Sequence, residues 1–292
     1  MKLLAVVLAL LSERLLGQLR WWNRLDLPAL WHRLLAPWLP AGGVRAHWLA
    51  PLLLWGPPVL LTAALDLALA GVWFELPRLL LALGVLAACL GPEAFNVRVD
   101  AFLAAAERGD EAAARRAAAA LLGDEAPAGL LRQAQAVAAA LLYEGHVRLF
   151  AVLFWFFLLG PAGALLYRLA SDTARRGHGL PAALHAHLRR LFAWLDAVPA
   201  HLFALGFFLA GSFDDAWHAW RRVWATELGL AERNRTLVVV TGCGALRHDL
   251  GRDLDDHGEA LRWVRAARAL VLRAVVVWVG VAALMTLSGT LA

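Results

Sequence analysis

Long apolar runs, parted by short polar or mixed segments, set the pattern of this chain. The run Leu149 to Leu169, LFAVLFWFFLLGPAGALLYRL, is long enough to cross a hydrocarbon core of roughly 30 Å as helix. Gly160-Pro161 and Gly163 interrupt it, and Arg168 follows Tyr167 at its end, so the pattern predicts a membrane-embedded helix with a shaped, partly polar surface. Leu49 to Trp73 predicts a second span, with Gly56-Pro57-Pro58 near its start and Asp66 within it. Leu76 to Leu90 follows across the tight connection Phe74-Glu75, and the two predict a helical hairpin. Ala269 to Leu287 is a clean span with Arg273 near its start. Two further segments are less complete. Leu191 to Gly211 is apolar, but Pro199 follows Asp196 and leaves Ala200 to Gly211 short for a crossing, either re-entrant or packed on other helices. MKLLAVVLALL continues through Ser12-Glu13-Arg14 into more leucines without a small-x-small cleavage site, which predicts a retained helix. The expected fold class is all-α: a polytopic integral membrane protein with four to six membrane-embedded helices.

The segments between these runs differ in kind. Arg20 to His47 is rich in Arg and Trp and broken by Pro28, Pro37 and Pro40, so it predicts short interfacial pieces with indoles at headgroup depth. Glu93 to Arg148 is Ala-rich, carries both charge signs and has apolar residues at helical spacing. Gly109-Asp110 and Gly123-Asp124 mark turns between its helices. Asp214 to Arg268 is a second mixed-charge region, in which Leu237 to Val240 reads as a short β-type run and Thr241 to Ala245 (TGCGA) as a plain turn. The organisation expected is one membrane domain over residues 1–292, with water-exposed helical insertions at about 93–148 and 214–268.

Composition agrees with the bilayer reading. The chain is 61% hydrophobic and 17% charged, against roughly half and a quarter in ordinary soluble domains. Its 14 Trp suit anchoring at the lipid–water boundary. The net charge of +5 is spread over arginines beside apolar runs, which fits anionic headgroups rather than nucleic acid. Lys2 is the only lysine, so a phosphate-binding GxxxxGK[ST] loop is excluded. Cys89 and Cys243 give neither a disulfide framework nor a thiolate zinc site.

Candidate chemistry gathers around the Leu149 to Leu169 run. Glu144, His146 and Arg148 precede it, Tyr167, Arg168 and Asp172 follow, and Asp196 and His201 flank Pro199. Two readings of Arg148 and Arg168 stand open. Either they snorkel to the membrane surface, or they pair the phosphate or carboxylate of an anionic ligand beside a helix broken at Gly160-Pro161. Glu144 and His146, two apart, do not share a helical face, which speaks against a joint metal or acid–base role. His248 and His257 lie among Asp249, Asp253, Asp255 and Asp256 without the fixed spacing of a calcium loop. GxSxG, HExxH and CxxC are all absent.

The block EGHVRLFAVLFWFFLLGPAGALLYRLASD, followed by WLDAVPAHLFALGFFLAGSFDDAW, resembles the AmpE proteins of bacteria. LLSERLLGQLRWWNRL and VRVDAFLAAAERGD fit the same family, so the likeness runs over most of the chain. The resemblance implies an inner-membrane modulator associated with β-lactamase induction and peptidoglycan recycling. It implies a structural motif of Phe154, Trp155, Gly160, Pro161, Gly163 and Pro199; the partners expected are the lipid bilayer and, near Arg148, Tyr167 and Arg168, an anionic muropeptide-like or nucleotide ligand. The family is similar in turn to the CbiB/CobD cobinamide-phosphate synthases. This chain shares with them Phe154-Trp155, Tyr167-Arg168 and Val198-Pro199-Ala200. Where those synthases are expected to carry carboxylates, however, it has His146 to Leu149 and Phe192-Ala193, and His201 replaces an arginine. Magnesium and nucleotide are therefore expected only under the alternative of a CobD-like ligase; otherwise no cofactor and no enzyme activity are expected.

Overall fold

The computed structural model describes residues 44–71, 73–90, 94–177, 179–246 and 256–288, with residues 5, 6, 8 and 31 besides. Among the described residues there is no strand. Among the same residues, five helical stretches are long and apolar enough to cross a membrane: Leu49–Ala68, Trp73–Leu90, Leu130–Arg176, Ala182–Ala210 and Gly258–Thr286. The protein is all-α and polytopic, as its pattern predicts. Most of the expected N-terminal helix, most of the Trp-rich pieces before His47 and the acidic loop from His248 to Asp255 lie outside the described residues.

The chain divides into two compact units. The first comprises Met1–Gly91, Val147–Ala197 and Ala282–Ala292; the second comprises Pro92–His146 and Val198–Val281.

In the first unit, helix α1 (Val44–Ala68) and helix α2 (Leu76–Leu90) form the expected hairpin through a single turn at Trp73–Glu75. That turn is left-handed at three successive non-glycine residues, Trp73, Phe74 and Glu75. Its strain is offset by polar contacts at its base. Arg78 donates from Nε to Asp66 Oδ1 at 2.9 Å and from Nη2 to Asp66 Oδ2 at 3.0 Å, and it reaches Glu75 as well. A carboxylate in an apolar span is costly unless paired, and this fork pairs Asp66 with both of its oxygens. Helix α1 also runs through Pro51, Pro57 and Pro58. Pro58 has no N–H for the Leu54 carbonyl; the indole of Trp31 donates to that oxygen instead, at 2.8 Å.

The second unit holds α3 (Ala94–Glu107), α4 (Glu111–Leu122) and α5 (Leu130–Gly145). Local chemistry places their ends where the sequence does. The Asp110 carboxylate caps α4 by accepting from the Ala113 N–H at 2.9 Å, and Gly123 closes it at φ 75. A five-residue π turn, His146–Phe150, follows α5. Helix α6 (Ala151–Arg176) belongs to the first unit, and α7 (Ala182–Ala210) passes from the first unit into the second. The remaining helices are α8 (Phe213–Trp224), α9 (Leu230–Leu246) and α10 (Asp256–Leu287). On the surface of the second unit, Arg268 pairs with Asp100 at 2.7 Å and Arg265 pairs with Glu107, tying α10 to α3.

Two expectations are corrected here. Leu237 to Val240 and the TGCGA segment are neither strand nor turn; both lie inside α9. Packing overrides local propensity, because the two glycines are seats for neighbouring helices. A Cβ on Gly242 would stand 2.8 Å from Leu142 Cδ1, and one on Gly244 would stand 2.7 Å from Ala219 Cβ. Nor does Pro199 end a helix: α7 continues through it for 29 residues. Ala200 to Gly211 is therefore the second part of a full-length helix, not a separate short segment. Losing one backbone hydrogen bond costs less than freeing a whole turn of backbone in an apolar setting.

Candidate functional site

Helix α6 carries the Leu149 to Leu169 run and does not traverse it straight. Gly160 adopts φ 70, ψ −159, and Pro161 removes the next N–H, so the first arm ends at Leu159 and a second begins at Pro161. The bend is sharp. A Cβ placed on Gly163 would collide with the backbone carbonyl of Trp155 and stand 2.6 Å from Leu159 Cβ. In a straight helix residues 155 and 163 are about 12 Å apart along the axis. The second arm therefore turns back across the first, and only a residue without a side chain fits at 163. The second arm, 161–176, is about 24 Å long and shorter than the hydrocarbon core, whereas the first continues α5 through the π turn. The expectation of one crossing over Leu149 to Leu169 is thus replaced by a helical hairpin.

Turning back gathers charge. Arg148 and Arg168 would lie about 30 Å apart on a straight helix, beyond useful Coulomb reach. In the hairpin the electrostatic neighbours of Arg168 are Arg148, Cys89 of α2, Asp172 and Arg175. Residues 168, 172 and 175 share one face of the second arm by helical spacing. Asp172, buried, is engaged by Arg176 at 3.0 Å. Arg168 is half-buried and, among the described residues, has no ion pair or hydrogen bond.

Tyr167, next to Arg168, is fully buried and points the other way. Its hydroxyl donates to Asp196 Oδ1 on α7 at 2.6 Å, and its ring packs on Phe192 at 5.5 Å. These contacts fasten the second arm to α7. Thr173 adds a link to α1, since its hydroxyl receives the Trp55 indole N–H at 3.3 Å. At the foot of the arm Gly177 closes α6 at φ 67, with the His185 ring against it and His185 Nε2 3.0 Å from the Ala174 carbonyl oxygen. Phe154 and Trp155 stack edge to face at 5.4 Å on the first arm.

Of the residues singled out from sequence, Arg148, Tyr167, Arg168, Asp172 and Asp196 fall in the first unit with the hairpin. Glu144, His146, Pro199 and His201 fall in the second. There Glu144 and His146 are both buried, and the His146 ring packs 5.6 Å from Phe203. His146 opens the π turn, a feature common at functional positions in helices. The His201 ring sits between Trp220 and Trp224. Arg175 and Cys89 were not singled out as site residues. The i+7 spacing from Arg168 marks Arg175, whereas nothing local marks Cys89, which only tertiary packing brings to the arginine.

The hairpin brings the guanidinium groups of Arg148, Arg168 and Arg175 into one neighbourhood, and the Tyr167–Asp196 bond fastens the arm that carries Arg168. The profile of the family described as regulatory signalling modulator protein AmpE matches the chain over residues 1–292. The chain belongs to the AmpE family. It is also similar to the cobalamin biosynthesis protein CobD of Chromobacterium violaceum, 35% identical over 135 residues, 43% of this chain and 40% of that protein. The CobD of Stutzerimonas stutzeri is 35% identical over 135 residues as well, 43% of this chain and 42% of that protein. The match thus spans about two fifths of the length of these relatives. No solved structure matches.

Proposed function

We propose that this AmpE-family protein is a bacterial inner-membrane signalling modulator in β-lactamase induction and peptidoglycan recycling, working by binding an anionic muropeptide-like or nucleotide ligand at the α6 hairpin. One observation carries the reading: a half-buried Arg168 with Arg148, Arg175 and Asp172 as neighbours and, among the described residues, no ion pair of its own. A guanidinium held partly out of water gains most from an anion that arrives with the ligand. Arg168 and Arg148 contact the anionic group, and Tyr167 holds the arm that presents Arg168. The experiment is Arg168→Ala in the native host. Loss of induction at unchanged membrane abundance supports the reading; parallel loss of abundance and activity returns Arg168 to an anchoring role. Mass spectrometry of ligand co-purifying in detergent identifies the anion.

A second reading, a CobD-like membrane ligase in cobalamin biosynthesis, rests on the partial identity to the two CobD proteins. That chemistry needs carboxylate oxygens for magnesium. Among the described residues, the two buried carboxylates of the first unit are already engaged, Asp172 by Arg176 and Asp196 by Tyr167. No step is assigned to a metal. Restored corrinoid synthesis in a CbiB-deficient strain would reverse the order of the two readings.

A further inference from the structure

Helix α8 lies in the region expected from sequence to be water-exposed, yet its faces do not suit water alone. At twelve residues it is about 18 Å long, too short to cross a bilayer. Its side chains sort into three stripes. Ala216, Ala219 and Val223 are buried, and Ala219 meets Gly244 of α9 so closely that no larger side chain fits between them. Asp214, His218, Arg221 and Arg222 form a charged stripe. Between these stripes run Phe213, Trp217, Trp220 and Trp224, spaced i, i+4, i+7 and i+11, an aromatic row along one side of the helix.

Apart from Trp220, which packs against buried Ala204, Val223 and Leu237, that row is not core. Phe213 is 56% exposed, Trp217 43% and Trp224 50%. It is nonetheless held rigid, because Phe208 of α7 stacks on Phe213, Trp217 and Trp220 with centroids 5.5, 6.2 and 5.6 Å apart. On α7, Leu205 and Leu209 flank Phe208 by helical spacing and are exposed, in a helix apolar enough to span the membrane. An exposed aromatic row that joins a lipid-compatible helix on one edge and a charged stripe on the other fits one surface.

We propose that α8 lies in the plane of the lipid–water boundary, with Phe213, Trp217 and Trp224 in the zone where headgroups meet acyl chains and Arg221 and Arg222 beside lipid phosphates. Indole rings favour that zone, having an apolar body and a polar N–H. Cations on the adjacent stripe gain from an anionic surface. The helix would then mark the membrane level of the α7–α8 junction, with the two acidic residues of its first turn at the polar edge.

The test uses the full chain in nanodiscs of phosphatidylglycerol and phosphatidylethanolamine, with both native cysteines replaced. Nitroxide labels are placed through Trp217→Cys, Trp224→Cys, His218→Cys and Arg222→Cys, and their collisions with oxygen and with a water-soluble nickel chelate are compared. Labels at 217 and 224 are expected at one common depth, about 5–10 Å below the phosphates, and favouring oxygen. Labels at 218 and 222 are expected to favour the chelate. Equal chelate access at all four sites would overturn the proposal in favour of open water. Shielding of 217 and 224 from both reagents would overturn it in favour of a protein partner or a second copy. Unequal depths at 217 and 224 would make the helix oblique and overturn it too. Phe213→Cys gives an independent reading of the same row should a tryptophan variant not fold.

Discussion

The hydroxyl of Tyr167 donates a 2.6 Å hydrogen bond to Oδ1 of Asp196, and both side chains are buried. This bond joins the returning arm of the α6 hairpin to α7 and so holds in place the arm that carries Arg168. Tyr167→Phe removes the donor and leaves the carboxylate buried. The expected cost is about 1.5–3 kcal/mol, as for a hydrogen bond to a charged group. Asp196→Asn keeps an acceptor and should cost less. Thermal or denaturant unfolding of the purified protein in detergent measures both.

Gly163 is the closest approach within the hairpin, set against the Trp155 carbonyl. Gly163→Ala cannot be absorbed by rotating a flexible neighbour, since the obstacle is backbone. It should therefore cost about 1–3 kcal/mol, as overpacking does, and should separate the arms. Gly160→Ala meets no neighbouring atom, but φ 70, ψ −159 is backbone that almost only glycine adopts, so it incurs a backbone penalty of about 1–3 kcal/mol. Spin-label distances between the two arms distinguish the outcomes: longer for Gly163→Ala, close to wild type for Gly160→Ala.

Asp66 and Arg78 tie the α1–α2 hairpin by a two-pronged pair at 2.9 and 3.0 Å. The partners are partly shielded, so their coupling should fall between that of exposed and buried pairs, about 1–2 kcal/mol. A double-mutant cycle of Asp66→Asn and Arg78→Gln, read by unfolding in detergent, measures it. Asp66→Asn alone should be the milder single change, because an uncharged amide in an apolar span leaves less to compensate.

Gly242 lies where Leu142 and Phe207 close on α9. Gly242→Leu should destabilise the second unit by about 1–3 kcal/mol through overpacking, although leucine is the better helix former. Were the TGCGA segment a turn, the same change would be nearly silent. Unfolding measurements on this variant thus test the helical assignment directly.

Local signals were legible wherever a single residue type dictates a backbone state. Gly109-Asp110 and Gly123 stop or start helices where the sequence places them, because a left-handed cap or a side-chain acceptor acts within one turn. The α1–α2 hairpin was legible from its two apolar runs and the short connection between them. Leu237 to Ala245 misled, since β-branched residues and glycines read locally as strand and turn. In the folded protein they supply a smooth helical face for Leu142, Phe207 and Ala219. Arg148, Tyr167, Arg168, Asp172 and Asp196 could be named from their places beside apolar runs, but not their partners.

Apolar run length, the glycines and prolines, and the apportioning of charge were enough to determine a polytopic helical membrane protein of this family, because the bilayer demands helices whose polar groups are satisfied within the segment. That Gly160-Pro161 turns a helix back instead of merely kinking it depended on tertiary structure, and so did the meeting of Arg148 with Arg168. A φ-permissive residue permits many angles, and the close fit of Gly163 on Trp155 together with the Tyr167–Asp196 bond selects one of them.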